Sequence, residues 1–84
     1  MARFTVFVHV MPRQGVLDPP GEATRSALQA LGFPGVREVR IGRRIALDLE
    51  AQSREEALER ARAMAERLLA NPVIESFDVR AEEP

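Results

Sequence analysis

The first ten residues show a regular alternation of side-chain types. Large apolar side chains stand at every even position from Phe4 to Val10. A period of two residues is typical of a β-strand that buries one face in a core. The odd positions Thr5, Phe7 and His9 then lie on the opposite face of this strand.

The loop at residues 15–21, Gly-Val-Leu-Asp-Pro-Pro-Gly, is predicted to lead into a helix. Asp18 is well placed to cap it, and Pro19 suits a first helical position that needs no amide donor. The helical spacing of apolar residues ends at Gly32. The loop lacks the Lys-Ser/Thr pair of a P-loop, and its prolines remove amides that would bind an anion. It therefore predicts a rigid, shaped segment rather than a nucleotide site.

A β-hairpin is predicted next along the chain. Residues 36–41 and 45–50 carry strand patterns, and Gly42 with Arg43 is predicted to form the tight turn between them. The two strands are expected to pair with each other in antiparallel fashion.

A second helix and a last strand complete the pattern. Ser53 and Glu56 form a capping box that opens the helix. Its buried face is predicted to contain Ala57, Ala61, Met64, Ala65 and Leu68. Residues 73–79 are predicted to form the last strand, and residues 81–84 a frayed tail.

The predicted order, β-α-β-β-α-β, is that of an α+β, ferredoxin-like single domain over residues 1–84, with an antiparallel sheet and two helices on one face. Right-handed crossovers are expected to place the first and third strands side by side and parallel in the middle of the sheet. Both helices then cover the face that carries Val6 and Val8.

The helix-free face of this sheet is predicted to be a self-association surface. Phe7 and His9 lie on it, and Val36, Ala46 and Ile74 are expected beside them. An exposed apolar patch usually marks an interface, and a chain of 84 residues builds only a small core of its own. The alternative is a scatter of ordinary surface apolar residues.

Composition narrows the classes of function. The net charge is −1, so there is no surplus of basic residues that would indicate binding to nucleic acid or to an anionic membrane. The sequence also has no apolar run long enough to span a membrane. The chain has no cysteine, which excludes thiolate catalysis and disulfides and suits a cytoplasmic protein. All twelve basic residues are arginine, so lysine-based covalent catalysis is excluded as well.

The candidate chemistry is sparse. His9, the one histidine, lacks a second histidine or a cysteine with which to form a metal or catalytic site, and a structural or interface role fits it better. Asp48 and Glu50 are spaced to hold a hard cation, although such pairs usually form a solvated strand face. RNA recognition on this fold uses several aromatic side chains on the open face of the sheet, and Phe7 is the only one that the middle strands place there. The residues therefore predict no catalytic, cofactor-binding or metal site.

Arginines surround the predicted hairpin turn, and their forked guanidinium groups suit phosphates and carboxylates. They are Arg37, Arg40, Arg43 and Arg44. The alternative is an edge kept soluble by charge. Arg40 and Arg43, together with the loop shaped by Asp18, are predicted to be a partner surface.

Three segments, taken together, resemble the PurS family, the small subunits of phosphoribosylformylglycinamidine synthase. They are Gly15-Val-Leu-Asp-Pro19, Val36-Arg-Glu-Val-Arg-Ile-Gly42 and Leu68-Leu-Ala-Asn-Pro-Val-Ile-Glu75. Their order and spacing match over almost the whole chain. Pro20 is the one minor departure.

The resemblance implies a role in purine biosynthesis. In that family the synthase converts formylglycinamide ribonucleotide, glutamine and ATP into formylglycinamidine ribonucleotide and glutamate. A glutaminase subunit releases ammonia, and a large synthetase subunit uses it with ATP and Mg²⁺. The small subunit carries no catalytic residue and binds no cofactor. It is a homodimer or homotetramer that bridges the other two subunits and assists ammonia transfer.

A different class of function remains open on the sequence alone. A stand-alone regulatory module with the same order of elements would bind a small ligand, such as an amino acid, at a dimer interface. The loop from Gly15 to Gly21 would then hold the ligand.

Overall fold

The computed structural model describes residues 1–81, which form a three-stranded antiparallel sheet and two main helices. In chain order the elements are β1 (Ala2–Pro12), α1 (Pro19–Ala30), β2 (Arg43–Ala51), α2 (Arg54–Met64) continued by a π-helical turn (Ala65–Leu69), and β3 (Glu75–Ala81). The sheet order is β2-β1-β3, and β1 runs antiparallel to both neighbours. This confirms an α+β, ferredoxin-like fold with an antiparallel sheet.

The predicted second strand at residues 36–41 is wrong. This segment is irregular, and β2 begins at Arg43, where the sequence predicted a tight turn. Its backbone groups bond to loop and helix groups instead of a neighbouring strand. The Ile41 amide donates to Asp18 (2.9 Å), and the Val36 carbonyl accepts from Gln29 (2.9 Å). The parallel pairing expected in the middle of the sheet is therefore replaced by the antiparallel pair β1–β2.

The core lies between the sheet and α2. Val6, Val8 and Val10 on the central strand are fully buried, as their alternation predicted. Small side chains on α2 and its π-helical turn allow the helix to approach these valines closely; they are Ala57, Ala61 and Ala65.

The first helix does not cover the sheet, which corrects the expectation of two helices on one face. Within residues 1–81, α1 makes no extensive contact with any strand, and Gly21 is its only buried residue. Its N-terminus is as predicted, because Asp18 accepts a hydrogen bond from the Gly21 amide (3.2 Å).

The second helix begins as predicted but ends differently. The Ser53 hydroxyl accepts from the Glu56 amide (3.1 Å), and the Glu56 carboxylate accepts from the Gln52 amide (3.2 Å). The Ala70 amide donates to the Ala65 carbonyl across a π-helical turn (2.9 Å). Leu68 lies within this turn, which departs from α-helical spacing, and it is 83% exposed rather than buried as the spacing predicted.

The end of the chain is ordered further than the sequence indicates. Ala81, predicted to begin a frayed tail, is the last residue of β3 and lies opposite Val6. Residues 82–84 of that predicted tail lie outside the described part of the chain.

Candidate functional site

Three loop segments meet at one end of the sheet, which we call the loop end: residues 13–18, 36–43 and 68–75. They meet there because β1 ends where β2 and β3 begin, with Val10 opposite Arg43 and Pro12 opposite Glu75. Each segment overlaps one of the three segments that carry the family resemblance. The structure thus brings together motifs that lie far apart in the sequence.

The Asp18 carboxylate joins the first two segments. One oxygen accepts from the Gly21 amide and caps α1, while the other accepts from the Ile41 amide. Gly21 is required at this contact, because a Cβ there would overlap the Val39 carbonyl and the Asp18 side chain. Asp18 therefore fixes how residues 36–41 lie against the start of α1.

Arginine side chains hold the loop end together. The Arg43 guanidinium donates to both Glu75 oxygens (2.9 and 3.2 Å) and to the Leu69 carbonyl (2.7 Å). Arg40 donates to the Pro12 carbonyl. Arg13 donates through its side chain to the Pro72 carbonyl (2.9 Å). These groups form internal bridges between loops.

Glu75 is the acidic centre of this arrangement. Its side chain is only 16% exposed, and it also accepts from the Asn71 amide (2.8 Å). The hydrogen bonds from Arg43, followed by that from the Asn71 backbone, lower the pKa of Glu75 below its ordinary value. The carboxylate is therefore held in the charged form that the Arg43 bridge needs.

Exposed apolar side chains occur on all three bridged segments, and on the second segment Ile41 is 45% exposed. On the segment before α1, Leu17 is 77% exposed; on the third segment, Leu68 is 83%, Val73 81% and Ile74 44% exposed. The backbone bridge from the Arg13 amide to the Ile74 carbonyl (2.8 Å) holds these two segments together. We call Leu17, Leu68, Val73 and Ile74 the apolar cluster. Exposed apolar side chains on segments that are hydrogen-bonded to each other are a candidate protein interface.

The predicted partner residues Asp18, Arg40 and Arg43 all lie at the loop end. Each of these side chains forms hydrogen bonds within the chain and so helps to shape the loop end. A direct contact with a partner stays a prediction. Sequence reasoning missed the apolar cluster as a surface. The signal was present, because Leu17, Leu68, Val73 and Ile74 all lie inside the resembling segments.

The open face of the sheet differs from the prediction. Phe7 and His9 do lie on it, and Ala46 lies opposite Phe7. However, Val36 and Ile74 belong to no strand, and charged groups occupy the positions around Phe7. The Arg44 guanidinium stacks on the Phe7 ring, 3.9 Å from its centroid. The apolar patch expected around Phe7 is thus absent from the described strands.

Polar side-chain contacts extend over the same face. His9 Nδ1 lies 3.2 Å from Asp78, and Arg3 pairs with Asp48. The hydrogen bond from Arg3 lowers the pKa of Asp48. Asp48, considered for a cation with Glu50, is therefore engaged by a guanidinium. Within residues 1–81, no group of three potential metal-ligating side chains occurs. Neither helix in that range has the length and apolar character needed to cross a bilayer.

Fold and site together define a small α+β protein in which three loop segments are bridged at one end of the sheet. The comparisons with known proteins identify its family. The family model for PurS, phosphoribosylformylglycinamidine (FGAM) synthase, matches residues 5–83. The chain belongs to the PurS family and is a subunit of FGAM synthase, which acts in purine biosynthesis.

Individual relatives agree with this assignment. The PurS subunit of Archaeoglobus fulgidus is 46% identical over 72 residues, which cover 86% of this chain and 90% of the relative. That of Synechocystis is 47% identical over 83% of this chain and 70% of the relative. A chain in the structure of PurLQS from Thermotoga maritima superposes with a TM-score of 0.87 at 35% identity, covering 98% of this chain and all of the other. The family assignment favours a synthase subunit over a stand-alone ligand-binding module.

Proposed function

We propose that this chain is a non-catalytic adaptor that bridges the glutaminase and synthetase subunits of FGAM synthase and so assists ammonia transfer. The observation that carries the proposal is the loop end, where three separate segments are bridged by Asp18, Arg40 and Arg43. This end presents exposed apolar side chains on loops that are bridged by hydrogen bonds, which suits a docking surface.

The chain's residues support a role without chemistry of its own. Cysteine and lysine, the usual nucleophiles of glutamine hydrolysis and imine formation, do not occur in the sequence. The one histidine pairs with Asp78 on a strand. We infer that glutamine hydrolysis, ATP binding and Mg²⁺ binding belong to the partner subunits.

An adaptor is physically useful in this reaction. Ammonia released into bulk water is diluted and protonated before it reaches a second active site. A small protein that fixes two subunits next to each other raises the effective concentration of the intermediate without taking part in catalysis. The PurLQS structure of the Thermotoga maritima relative supports assembly with larger subunits. A cytoplasmic location fits the absence of cysteine.

The bridging role is tested by mixing purified subunits. We expect the glutaminase and synthetase subunits to co-elute in size-exclusion chromatography with light scattering when this chain is present, and to elute separately without it. Glutamine and the nucleotide substrates are kept constant in both runs. A stable glutaminase–synthetase pair that forms equally well without this chain would contradict bridging.

A further inference from the structure

Two arginine side chains at the loop end are held in place without being neutralised. Arg13 donates through Nε to the Pro72 carbonyl (2.9 Å), and Arg40 donates to the Pro12 carbonyl. A carbonyl oxygen fixes a guanidinium group in position but leaves its positive charge uncompensated. Both arginines are exposed, and neither forms an ion pair with another side chain of residues 1–81.

The other engaged charges of the loop end are satisfied within the chain. Arg43 and Glu75 neutralise each other, and Asp18 accepts from two backbone amides. Three further arginines and one further carboxylate remain there; they are Arg13, Arg37, Arg40 and Glu38. The uncompensated charge of the loop end is therefore positive, although the chain as a whole has a net charge of −1.

The two carbonyl-bound arginines lie beside the apolar cluster. Pro72, which accepts from the Arg13 side chain, directly precedes Val73. The Arg13 amide donates to the Ile74 carbonyl (2.8 Å). Arg40 binds the residue that precedes Arg13 in the chain. The exposed apolar side chains are therefore bordered on this side by positive charge that the backbone holds in place.

We propose that the loop end binds a protein surface that has an apolar centre and carboxylates at its edge, and that Arg13 and Arg40 bind those carboxylates. The partner is one of the larger synthase subunits, so the proposal rests on the adaptor role. An apolar centre with a polar rim is the usual arrangement of a protein interface. Charge complementarity gives the sign of the rim on the partner, which is negative.

The free donors of Arg13 suit a carboxylate. A guanidinium group binds a carboxylate best through two parallel N–H···O hydrogen bonds. Within residues 1–81 only the Nε of Arg13 is used, so both of its Nη groups remain available. A small anion such as phosphate would use these donors but would leave the apolar cluster in water, whereas a protein surface covers both.

The carbonyl contacts also prepare these side chains for binding. A flexible arginine loses rotamer freedom when it binds, and a guanidinium group that is already fixed loses less. Arg37 provides the contrast, because it is exposed and makes no hydrogen bond or ion pair with another residue of 1–81. We therefore expect Arg13 and Arg40 to make the direct contacts and Arg37 to contribute long-range attraction.

The sign of the partner surface is tested by the salt dependence of association. Association rate constants are measured by stopped flow with each larger subunit, at roughly 50 mM and 500 mM salt, because added salt shortens the range of charge attraction. With the subunit that binds, Arg13→Gln should lower the rate constant by about three- to tenfold at low salt and by less than about twofold at high salt. Arg3→Gln is the matched control, since it removes the same charge about 30 Å away along β1 and should have little effect at either salt concentration.

The outcomes separate this proposal from the adaptor role. Equal weakening by Arg13→Gln at both salt concentrations would mean that Arg13 only shapes the loop. That result, salt-independent association, or equal effects of Arg13→Gln and Arg3→Gln would overturn the acidic partner surface and leave bridging intact. Because bridging is measured by co-elution of both larger subunits, it can fail while salt-dependent binding of one subunit persists. If neither subunit binds the chain, both proposals are wrong.

Zero-length cross-linking identifies the carboxylates themselves. Because the chain has no lysine, Arg13→Lys introduces the only side-chain amine. A carbodiimide joins an amine to a carboxylate only where the two groups touch. Mass spectrometry of the treated complex should therefore report a link from position 13 to an aspartate or glutamate of a larger subunit. Arg3→Lys, beside Asp48, should give only an internal link. Equal linking of both variants to a larger subunit, no such link from position 13, or a link from it to a second copy of this chain would refute the proposal.

Discussion

Val73→Glu should strongly weaken assembly with the larger synthase subunits while leaving the fold intact. Val73 is 81% exposed, so in the free chain the new carboxylate remains in water. In the complex it would be buried within the apolar cluster without a partner. An uncompensated charge at a buried interface position costs about 2–4 kcal/mol, which corresponds to roughly 30- to 1,000-fold weaker binding.

The matched control for this variant is Phe33→Glu, which adds the same charge at an exposed apolar residue outside the loop end. Phe33 is 56% exposed and follows α1. Titration calorimetry with each larger subunit gives the affinities, and circular dichroism checks the fold. Both variants should keep the melting temperature of the wild type. If Val73→Glu binds the larger subunits with the same affinity as the wild type, the apolar cluster is not part of the docking surface.

Gly42→Ala should destabilise the protein strongly. A Cβ at residue 42 would overlap the Val10 carbonyl oxygen and the Met11 sulfur, and the carbonyl belongs to the central strand. Either β2 moves away from β1 or the loop end opens. Overpacking of this kind costs about 1–3 kcal/mol, a large share of the stability of a small domain.

Gly35→Ala is the control for this prediction, because a Cβ at residue 35 meets no atom within 4 Å. Urea unfolding of both variants measures the difference in the free energy of unfolding. Gly35→Ala should remain within about 0.5 kcal/mol of the wild type, as surface substitutions usually do. If Gly42→Ala changes the free energy of unfolding as little as Gly35→Ala does, residues 36–43 do not approach β1 as closely as described.

The sequence correctly predicted those elements that depend on residues close together in the chain. The alternation from Phe4 to Val10 identified β1 and its buried face. The caps Asp18 and Ser53 identified both helix starts, because each cap satisfies amides within three residues. The resemblance identified the family from three short segments.

Long-range contacts decided what the sequence did not reveal. Residues 36–41 have strand-like composition, but Asp18 and Gln29 bind the backbone of that segment from elsewhere in the chain. Leu68 has helical spacing in the sequence, but the π-helical turn Ala65–Leu69 that contains it departs from that spacing, and its side chain is exposed. Phe7 lies on the face of β1 that the alternation predicted. The residues predicted to lie beside it were partly wrong, because Val36 and Ile74 belong to no strand. Each of these outcomes requires knowing which distant groups take the backbone hydrogen bonds.

The central claim is that this chain couples two active sites without performing chemistry. The most direct measurement compares formylglycinamidine ribonucleotide synthesis driven by glutamine with synthesis driven by added ammonia, in reconstituted synthase with and without this chain. We expect omission of the chain, or its replacement by the Val73→Glu variant, to reduce the glutamine-driven rate far more than the ammonia-driven rate, because ammonia supplied from solution bypasses the transfer between subunits. Equal loss of both rates, or loss of neither, would contradict the claim.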